Sequence, residues 1–177
     1  MKYLTLIRHA KSSHADGTIP DIDRPLNDRG RADAAVMGRV LASILPVPQI
    51  ILGSTAVRVV ETLTILLEAA GKTLELPPEK PDRPGRYPAP ERSERLYLAE
   101  VDDIWDLAYP ALLEHDEVWL CGHNPGIAEA IEALTGSHLD DVPTLAVARI
   151  AYDDEIPGPG AGELRFFDVP RNHRDRT

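Results

Sequence analysis

The chain has 177 residues, is 43% hydrophobic and carries a formal net charge of −10, which is typical of a globular domain and unfavourable for a general binder of nucleic acid. Its single cysteine, Cys121, excludes an internal disulfide framework and a cysteine-cluster metal site. No signal peptide is visible, and no apolar run approaches the roughly 18–20 residues of a membrane span, so the sequence predicts a cytoplasmic protein without a membrane partner.

Strand and helix patterns alternate along the first 70 residues. An apolar strand over about 2–8 is followed by a polar loop rich in Asp, Ser, His and Pro. Apolar residues then recur at helical spacing over about 28–45. A second strand over about 49–53 leads into a second helix over about 55–70. This alternation is typical of a parallel sheet whose strands are joined by helices.

The following segment, Pro77 to Pro90, contains six prolines and many charges. It cannot form regular secondary structure, and we predict that it is a surface loop. The pattern after it predicts a helix over about 102–114, a strand over about 117–121 and a helix over about 126–136. The order of elements therefore repeats the alternation of the first half.

The last part of the domain has a different pattern. Alternating apolar residues at 145–152 and 163–169 flank a turn rich in Pro and Gly, and they predict an antiparallel hairpin on the sheet edge. The whole set of elements predicts an α/β fold of three layers, with a mostly parallel sheet between helices. We assign residues 1–170 to this single domain and residues 171–177 to a polar C-terminal tail, which we expect to be loose.

Three predicted strands end in residues that suit a phosphate. Arg8 and His9 lie at the end of the first strand, the second strand leads into a helix that carries Arg58, and the third ends just before His123. Because the carboxyl ends of parallel strands meet at one edge of a sheet, we expect these side chains to lie together. Arginine binds phosphoryl oxygens, and histidine can attack phosphorus or donate to an oxygen, so the set predicts a metal-free site for phosphoryl transfer.

Three segments, in this order, resemble the histidine phosphatase superfamily, whose fold is that of phosphoglycerate mutase. The segments are Arg8-His9-Ala10-Lys11-Ser12, Ser54 to Thr62, and Gly122-His123-Asn124-Pro125-Gly126. The stretch from Asp21 to Gly30, with Arg24-Pro25-Leu26 at its centre, is typical of the small SixA-type branch of phosphohistidine phosphatases. The resemblance covers residues 3 to about 152 and implies a phosphatase with a small cap and no cofactor.

The resemblance also implies a role for each matched residue. His9 would be the nucleophile, which becomes a phosphohistidine that water then hydrolyses. Arg8, Arg58 and His123 would clamp the phosphoryl group. Arg24 would line the pocket mouth or contact the phosphate, although pairing with a neighbouring aspartate explains it as well.

Other candidates carry a weaker signal. Lys11 and Asn124 could bind substrate, but a lysine after a loop start is commonly solvated, and an asparagine before proline is good turn chemistry. Larger members of the family protonate an alcohol leaving group with an acid. Glu100 is a possible acid here, although it fits the first turn of a helix equally well. Because imidazole needs less help than an alkoxide to leave, the sequence favours a phosphohistidine-bearing protein as the substrate.

Two other functions fit the same residues. One is a phosphatase of a small phosphomonoester, and the other is a non-catalytic regulatory module that binds phosphate without turnover. No group of His, Asp or Glu has the spacing of metal ligands, so we expect neither a metal nor another cofactor. The remaining histidines have no motif around them and are interpreted as surface or loop residues: His14, His115, His138 and His173.

Overall fold

The computed structural model describes residues 1–73, 87–153 and 158–176, and it shows a six-stranded sheet between two layers of helices. The strands are β1 (Lys2–Arg8), β2 (Ile50–Ser54), β3 (Glu91–Ser93), β4 (Glu117–Gly122), β5 (Val147–Tyr152) and β6 (Glu163–Asp168). The helices are α1 (Asp28–Ile44), α2 (Val57–Thr73), α3 (Val101–Glu114) and α4 (Gly126–Thr135), with short 3-10 turns at Asp21–Asp23, Glu94–Leu96 and Pro170–Arg176. The predicted three-layer α/β fold is confirmed.

The strands lie in the order β3-β2-β4-β1-β5-β6. The four strands from β3 to β1 run parallel to their neighbours, whereas β5 is antiparallel to β1, and β6 is antiparallel to β5. The mostly parallel sheet and the antiparallel hairpin at its edge are therefore as predicted. Because β4 is inserted between β1 and β2, the carboxyl ends of these three strands form one continuous edge, which is where open α/β sheets bind ligands.

Hydrophobic clusters on both faces of the sheet hold the layers together. In β1, Leu4 and Leu6 belong to the cluster that includes Ile104 of α3 and Ile127 of α4. Ile7 lies on the opposite face, in the cluster with Met37, Leu41, Leu63 and Leu66 of α1 and α2. A strand with both faces covered is buried along its length, as parallel strands generally are. None of the helices in the described ranges is long and apolar enough to cross a lipid bilayer.

Strand β3 is absent from the sequence-based prediction. Its three residues, Glu91–Ser93, are polar and show no apolar alternation, so the pattern carries no strand signal. Parallel pairing of this segment with Leu52–Ser54 of β2 forms the strand instead. Of the predicted loop from Pro77 to Pro90, residues 77–86 lie outside the described residues, and residues 87–90 contain neither helix nor strand.

The segment assigned to the C-terminal tail begins within a 3-10 turn that follows β6. The 3-10 turn Pro170–Arg176 contacts α1. Nδ2 of Asn172 donates to Oδ1 of Asp168 at 2.7 Å, and Nε2 of His173 lies 2.5 Å from Oδ2 of the same carboxylate. Burial opposes ionisation of Asp168, but the hydrogen bonds from these side chains hold its pKa below the usual range. The last residue of β6 therefore anchors the segment that follows it.

Candidate active site

The candidate site lies where β1, β2 and β4 end side by side. Arg8 of β1 pairs in register with Gly122 of β4, and Gly53 of β2 pairs with Cys121, so the residues after these strands emerge at one edge. A cavity of about 300 Å³ opens there. It brings together every predicted site residue except Glu100. Its lining residues are Arg8, His9, Lys11, Ser12, His14, Asp21, Arg24, Arg58, Leu98, His123, Asn124 and Thr144.

His9 is fixed by the backbone on both sides. Its amide donates to the carbonyl of Gly122 at 3.0 Å, and its own carbonyl accepts from the amide of Leu145 at 3.1 Å. Nδ1 of the ring lies 2.7 Å from the carbonyl oxygen of Ala10. Because a carbonyl oxygen can only accept, this contact assigns the ring proton to Nδ1. The lone pair of His9 is therefore on Nε2.

The surroundings of His9 disfavour its protonated form. Burial is the main cause, and the positive charges of Arg58 and Arg8 act in the same direction, while the hydrogen bond to Ala10 opposes them. Together they lower the pKa of His9 to about 4. The ring is therefore neutral at pH 7, which is the state that a nucleophile needs.

Arg58 lies in the first turn of α2 and is only 2% exposed. Its Nε donates towards Nε2 of His9 at 3.3 Å. Its two terminal nitrogens contact Asp21, with Nη1 2.5 Å from the main-chain carbonyl and Nη2 2.9 Å from Oδ2. The guanidinium thus touches the candidate nucleophile with one edge and Asp21 with the other.

The residues that follow Arg58 attach α2 to the loops around the site. Oγ1 of Thr62 donates to the carbonyl of Arg58 at 2.6 Å and accepts from the amide of Ala10 at 3.0 Å. Oε2 of Glu61 accepts from the amide of Leu26 at 2.7 Å. The segment from Arg58 to Thr62 therefore contacts both ends of the connection between β1 and α1, which carries His9, Lys11 and Arg24.

His123 follows β4 and lies beside His9, with 5.1 Å between the ring centroids. Its Nε2 is 2.9 Å from Oγ of Ser54, the last residue of β2. Its Nδ1 is buried and has no partner among the described residues. Burial and the neighbouring His9 and Arg58 lower the pKa of His123 to about 3, so this ring is also neutral at pH 7.

Arg8 and Asn124 share one backbone acceptor. Nη1 of Arg8 donates to the carbonyl of Val142 at 2.7 Å, and Nδ2 of Asn124 donates to the same oxygen at 3.0 Å. Nε of Arg8 is buried without a partner among the described residues. An unpartnered buried donor is costly, and an anion in the cavity would satisfy it. Asn124 is thus attached to the loop that holds Arg8.

Asp21 and Tyr97 complete this part of the site, and the sequence gives no signal for Tyr97. Oη of Tyr97 donates to Oδ2 of Asp21 at 2.7 Å, and Nη2 of Arg24 lies 2.6 Å from Oδ1. The hydrogen bond from Tyr97 is the largest cause that lowers the pKa of Asp21 to about 2, and Arg58 adds to it. Burial acts in the opposite direction but does not prevail.

The cavity mouth is formed by exposed residues of the loop after β1. Lys11 lies there, as the sequence predicts. His14 lies there too; it is an exposed loop residue, as predicted, and it also lines the cavity. Nη1 of Arg24 is 2.7 Å from Nδ1 of His14 and 2.9 Å from Nε2. The only sequence signal for His14 is its position in the loop that begins at the candidate nucleophile.

Glu100, the possible acid, does not line the cavity. It is exposed and is the N-cap residue of α3, although its side chain makes no capping hydrogen bond. The structure therefore places Glu100 at the start of a helix, which is the alternative to a catalytic acid that the sequence allows. Within the described residues, no group of three His, Cys, Asp or Glu is arranged to hold a metal ion.

Two glycines allow the backbone to pack closely next to the site. A Cβ atom on Gly30, at the start of α1, would collide with the carbonyl of Lys11. A Cβ atom on Gly126, at the start of α4, would collide with the carbonyl of Ala99. Any larger residue at either position would push a loop of the site away from its helix.

Comparison of the sequence with known proteins identifies a family and several relatives. The model of the histidine phosphatase superfamily (branch 1) matches residues 4–82. An uncharacterized chloroplastic protein of Arabidopsis thaliana is 50% identical over 173 residues, which cover 94% of this chain and 77% of that protein. An uncharacterized protein of Mycobacterium tuberculosis is 31% identical over 184 residues, covering 93% of this chain and 100% of the relative.

Solved structures share the fold over nearly the whole chain. A protein of Agrobacterium tumefaciens assigned as phosphohistidine phosphatase SixA is 25% identical, with a TM-score of 0.75, and the match covers 96% of this chain and 98% of that one. The protein histidine phosphatase SixA in complex with tungstate is 20% identical, with a TM-score of 0.76 and coverage of 97% and 99%. The chain therefore belongs to the histidine phosphatase superfamily, in its SixA-type branch, and is a histidine-type phosphatase.

Proposed function

We propose that this phosphatase is metal-independent and works through a phosphohistidine on Nε2 of His9. The observation that carries the proposal is the 2.7 Å hydrogen bond between Nδ1 of His9 and the carbonyl of Ala10. It leaves the Nε2 lone pair next to Nε of Arg58, at the wall of a cavity lined by cationic side chains. A neutral imidazole with a fixed tautomer is suited to nucleophilic attack.

Two displacements at phosphorus make up the reaction. In the first, the Nε2 lone pair of His9 attacks phosphorus, and the leaving group departs with the electron pair of the bond that breaks. In the second, water attacks the phosphohistidine, the P–N bond breaks, and its electrons return to Nε2 as inorganic phosphate leaves. Arg8, Arg58 and His123 stabilise the charge on the equatorial oxygens in both steps.

The leaving group favours phosphohistidine on a partner protein as the substrate. Among the described residues that line the cavity, Asp21 alone has a carboxyl group. Its pKa is about 2, so it has no proton to give at pH 7. An alkoxide needs a proton to leave readily, whereas the imidazole of phosphohistidine needs less help. A related structure is that of a protein histidine phosphatase, which supports the same substrate class.

A small phosphomonoester is the second candidate substrate. The cavity of about 300 Å³ is large enough for a small ligand, at the lower end of the range for such sites. Lys11 and His14 at its mouth offer polar contacts to the part of an ester that leaves. Arg24, which contacts His14, adds a further positive charge there.

The experiment that tests the proposal compares two kinds of substrate. The protein is incubated with a phosphohistidine-bearing phosphotransfer protein and with a panel of phosphomonoesters that includes an activated aryl phosphate. His9→Ala is the test variant. His138→Ala is the matched control, because His138 is exposed, pairs with Glu132 and does not line the cavity.

We expect fast loss of phosphohistidine, slow turnover of esters, no activity in His9→Ala and full activity in His138→Ala. Addition of a chelator should change none of these rates. Activity retained by His9→Ala would contradict the nucleophile, and loss of activity with the chelator would contradict the metal-free mechanism. A strong preference for one small ester would contradict the protein substrate and support a small phosphomonoester instead.

A further inference from the structure

Asp21 is an acidic residue in a cavity whose other charged residues are cations. Its carboxylate meets side chains from three separate parts of the chain. Oδ2 accepts from Nη2 of Arg58 at 2.9 Å and from Oη of Tyr97 at 2.7 Å. Oδ1 accepts from Nε of Arg24 at 2.9 Å and from Nη2 of the same residue at 2.6 Å. One carboxylate therefore connects the two arginines that lie on either side of it.

The contacts with Asp21 determine which edge of Arg58 faces His9. A guanidinium has five N–H donors in a rigid plane. Nη1 and Nη2 each give one of them to Asp21, through its main-chain carbonyl and its carboxylate. Nε points at Nε2 of His9 instead, at 3.3 Å. Rotation of the guanidinium about its own axis would break both contacts with Asp21, so Asp21 holds the Nε edge towards the reacting nitrogen.

Tyr97 links the same carboxylate to the other histidine. Its ring lies edge-on to that of His123, with 5.5 Å between centroids and an interplanar angle of 90°. Cζ of Arg58 lies over the Tyr97 ring, 5.9 Å from its centroid. Tyr97 therefore contacts Asp21, Arg58 and His123 at the same time.

Asp21 is poorly suited to the two other roles that a carboxylate could have here. It cannot act as a general acid, because its hydrogen bonds keep it ionised far below neutral pH. It cannot bind the phosphoryl group, because two anions repel each other. Its charge is instead balanced by Arg24 and Arg58, which it holds in place.

We propose that Asp21 is a positioning residue of the phosphatase site, which fixes Arg58 against His9 and orients Arg24 at the cavity mouth. This inference rests on the proposed function, because it assumes that the phosphoryl group binds between His9 and Arg58. The arginines are then already oriented when the substrate arrives, and pre-oriented charge contributes most in the transition state. Loss of Asp21 should therefore reduce kcat more than it raises KM.

The test uses Asp21→Asn, with Asp23→Asn as the matched control. Both residues lie in the same 3-10 turn and are exposed, but the Asp23 side chain has no ion pair among the described residues. For an activated aryl phosphate, we expect Asp21→Asn to lower kcat/KM by about 10- to 100-fold, the effect of losing charge-assisted hydrogen bonds. Tyr97→Phe, which keeps the ring, should give a smaller loss in the same parameter, and Asp23→Asn should give none.

A double-mutant cycle separates positioning from a general structural effect. In an Arg58→Ala background, Asp21→Asn should lower kcat/KM by less than about threefold, because the residue that Asp21 orients is already gone. Asp21→Glu, which keeps the charge, should recover part of the activity. Equal losses in the two backgrounds, or kcat/KM of Asp21→Asn within twofold of Asp23→Asn, would overturn the inference.

A binding measurement makes this test independent of the proposed nucleophile. Tungstate is titrated calorimetrically into His9→Ala and into the double variant His9→Ala with Asp21→Asn. We expect binding in the double variant to be weaker by about two- to fivefold, less than the loss in kcat/KM, since tungstate mimics bound phosphate and Arg58 is no longer held towards the oxyanion. Unchanged tungstate affinity would overturn the role of Asp21 whatever the first experiment shows about His9. Turnover by His9→Ala would contradict the proposed function alone.

Discussion

Nε2 of His123 lies 2.9 Å from Oγ of Ser54, and the same oxygen accepts a hydrogen bond from the amide of Ala56 at 3.2 Å. Ser54, at the end of β2, therefore holds the ring of His123 through its Nε2 edge. Nδ1 of His123 is buried and has no partner among the described residues.

Ser54→Ala should lower kcat/KM for an aryl phosphate by about tenfold, because the ring of His123 loses the contact that holds its orientation. His123→Ala should lower kcat/KM further, since it removes the imidazole ring itself. Ser43→Ala is the control, because Ser43 is exposed on α1 and its hydroxyl donates only to the carbonyl of Val40. Full activity in Ser54→Ala would show that His123 does not depend on this serine.

The pKa of His9 predicts an unusual titration. With a pKa of about 4, the ring should stay neutral from pH 7 down to pH 5 and take up its proton only below that. The midpoint of its ring ¹⁵N shifts, assigned by comparison with His9→Asn, should lie near pH 4. A midpoint near the unperturbed value of about 6.5 would contradict the described surroundings of His9.

The same shift has a consequence for stability. An unfolded chain binds a proton at His9 below about pH 6.5, whereas the folded protein binds it only below about pH 4. Between these values the unfolded state carries more protons, so the free energy of unfolding should fall as the pH is lowered. Replacement of His9 by Asn should make the denaturant midpoint less sensitive to pH across this interval. An unchanged slope would argue against the shift.

Glu100→Gln should leave kcat/KM within about twofold of the wild type for both good and poor leaving groups. The reason is that Glu100 is exposed at the N-cap of α3 and does not line the cavity. An acid in the reaction would act most strongly on esters with poor leaving groups, so the comparison of aryl and alkyl phosphates measures its role directly. A loss confined to alkyl phosphates would identify Glu100 as the acid.

Gly30→Ala should destabilise the protein by about 1–3 kcal/mol, because its Cβ atom would collide with the carbonyl of Lys11. The displaced loop begins beside His9, so kcat/KM should fall as well. Gly71→Ala is the matched control in helix α2, where a Cβ atom meets nothing within 4 Å. That variant should be more stable by roughly 0.5–1 kcal/mol, the helix propensity of alanine over glycine. Denaturant midpoints check both values.

The sequence predicted those strands of the sheet whose own residues form an apolar run. β1 and β4 are buried on both faces, so their apolar runs identify them without knowledge of their neighbours. The short edge strand β3 has a polar sequence and exists only through its pairing with β2, so no local pattern could predict it. The hydrogen bond from Asn172 to Asp168 of β6 likewise depends on a partner outside the tail.

The sequence by itself determined the strand ends, and with them the meeting of Arg8, His9 and His123. The physical reason is that a parallel sheet brings the carboxyl ends of its strands to one edge. Residues at the ends of predicted parallel strands are therefore expected to lie close together. Only the tertiary structure brought Asp21 to Tyr97, which is 76 positions away, and left Glu100 outside the cavity. Loops have no periodicity that encodes their partners, so these contacts are decided by the packing of helices and loops onto the sheet.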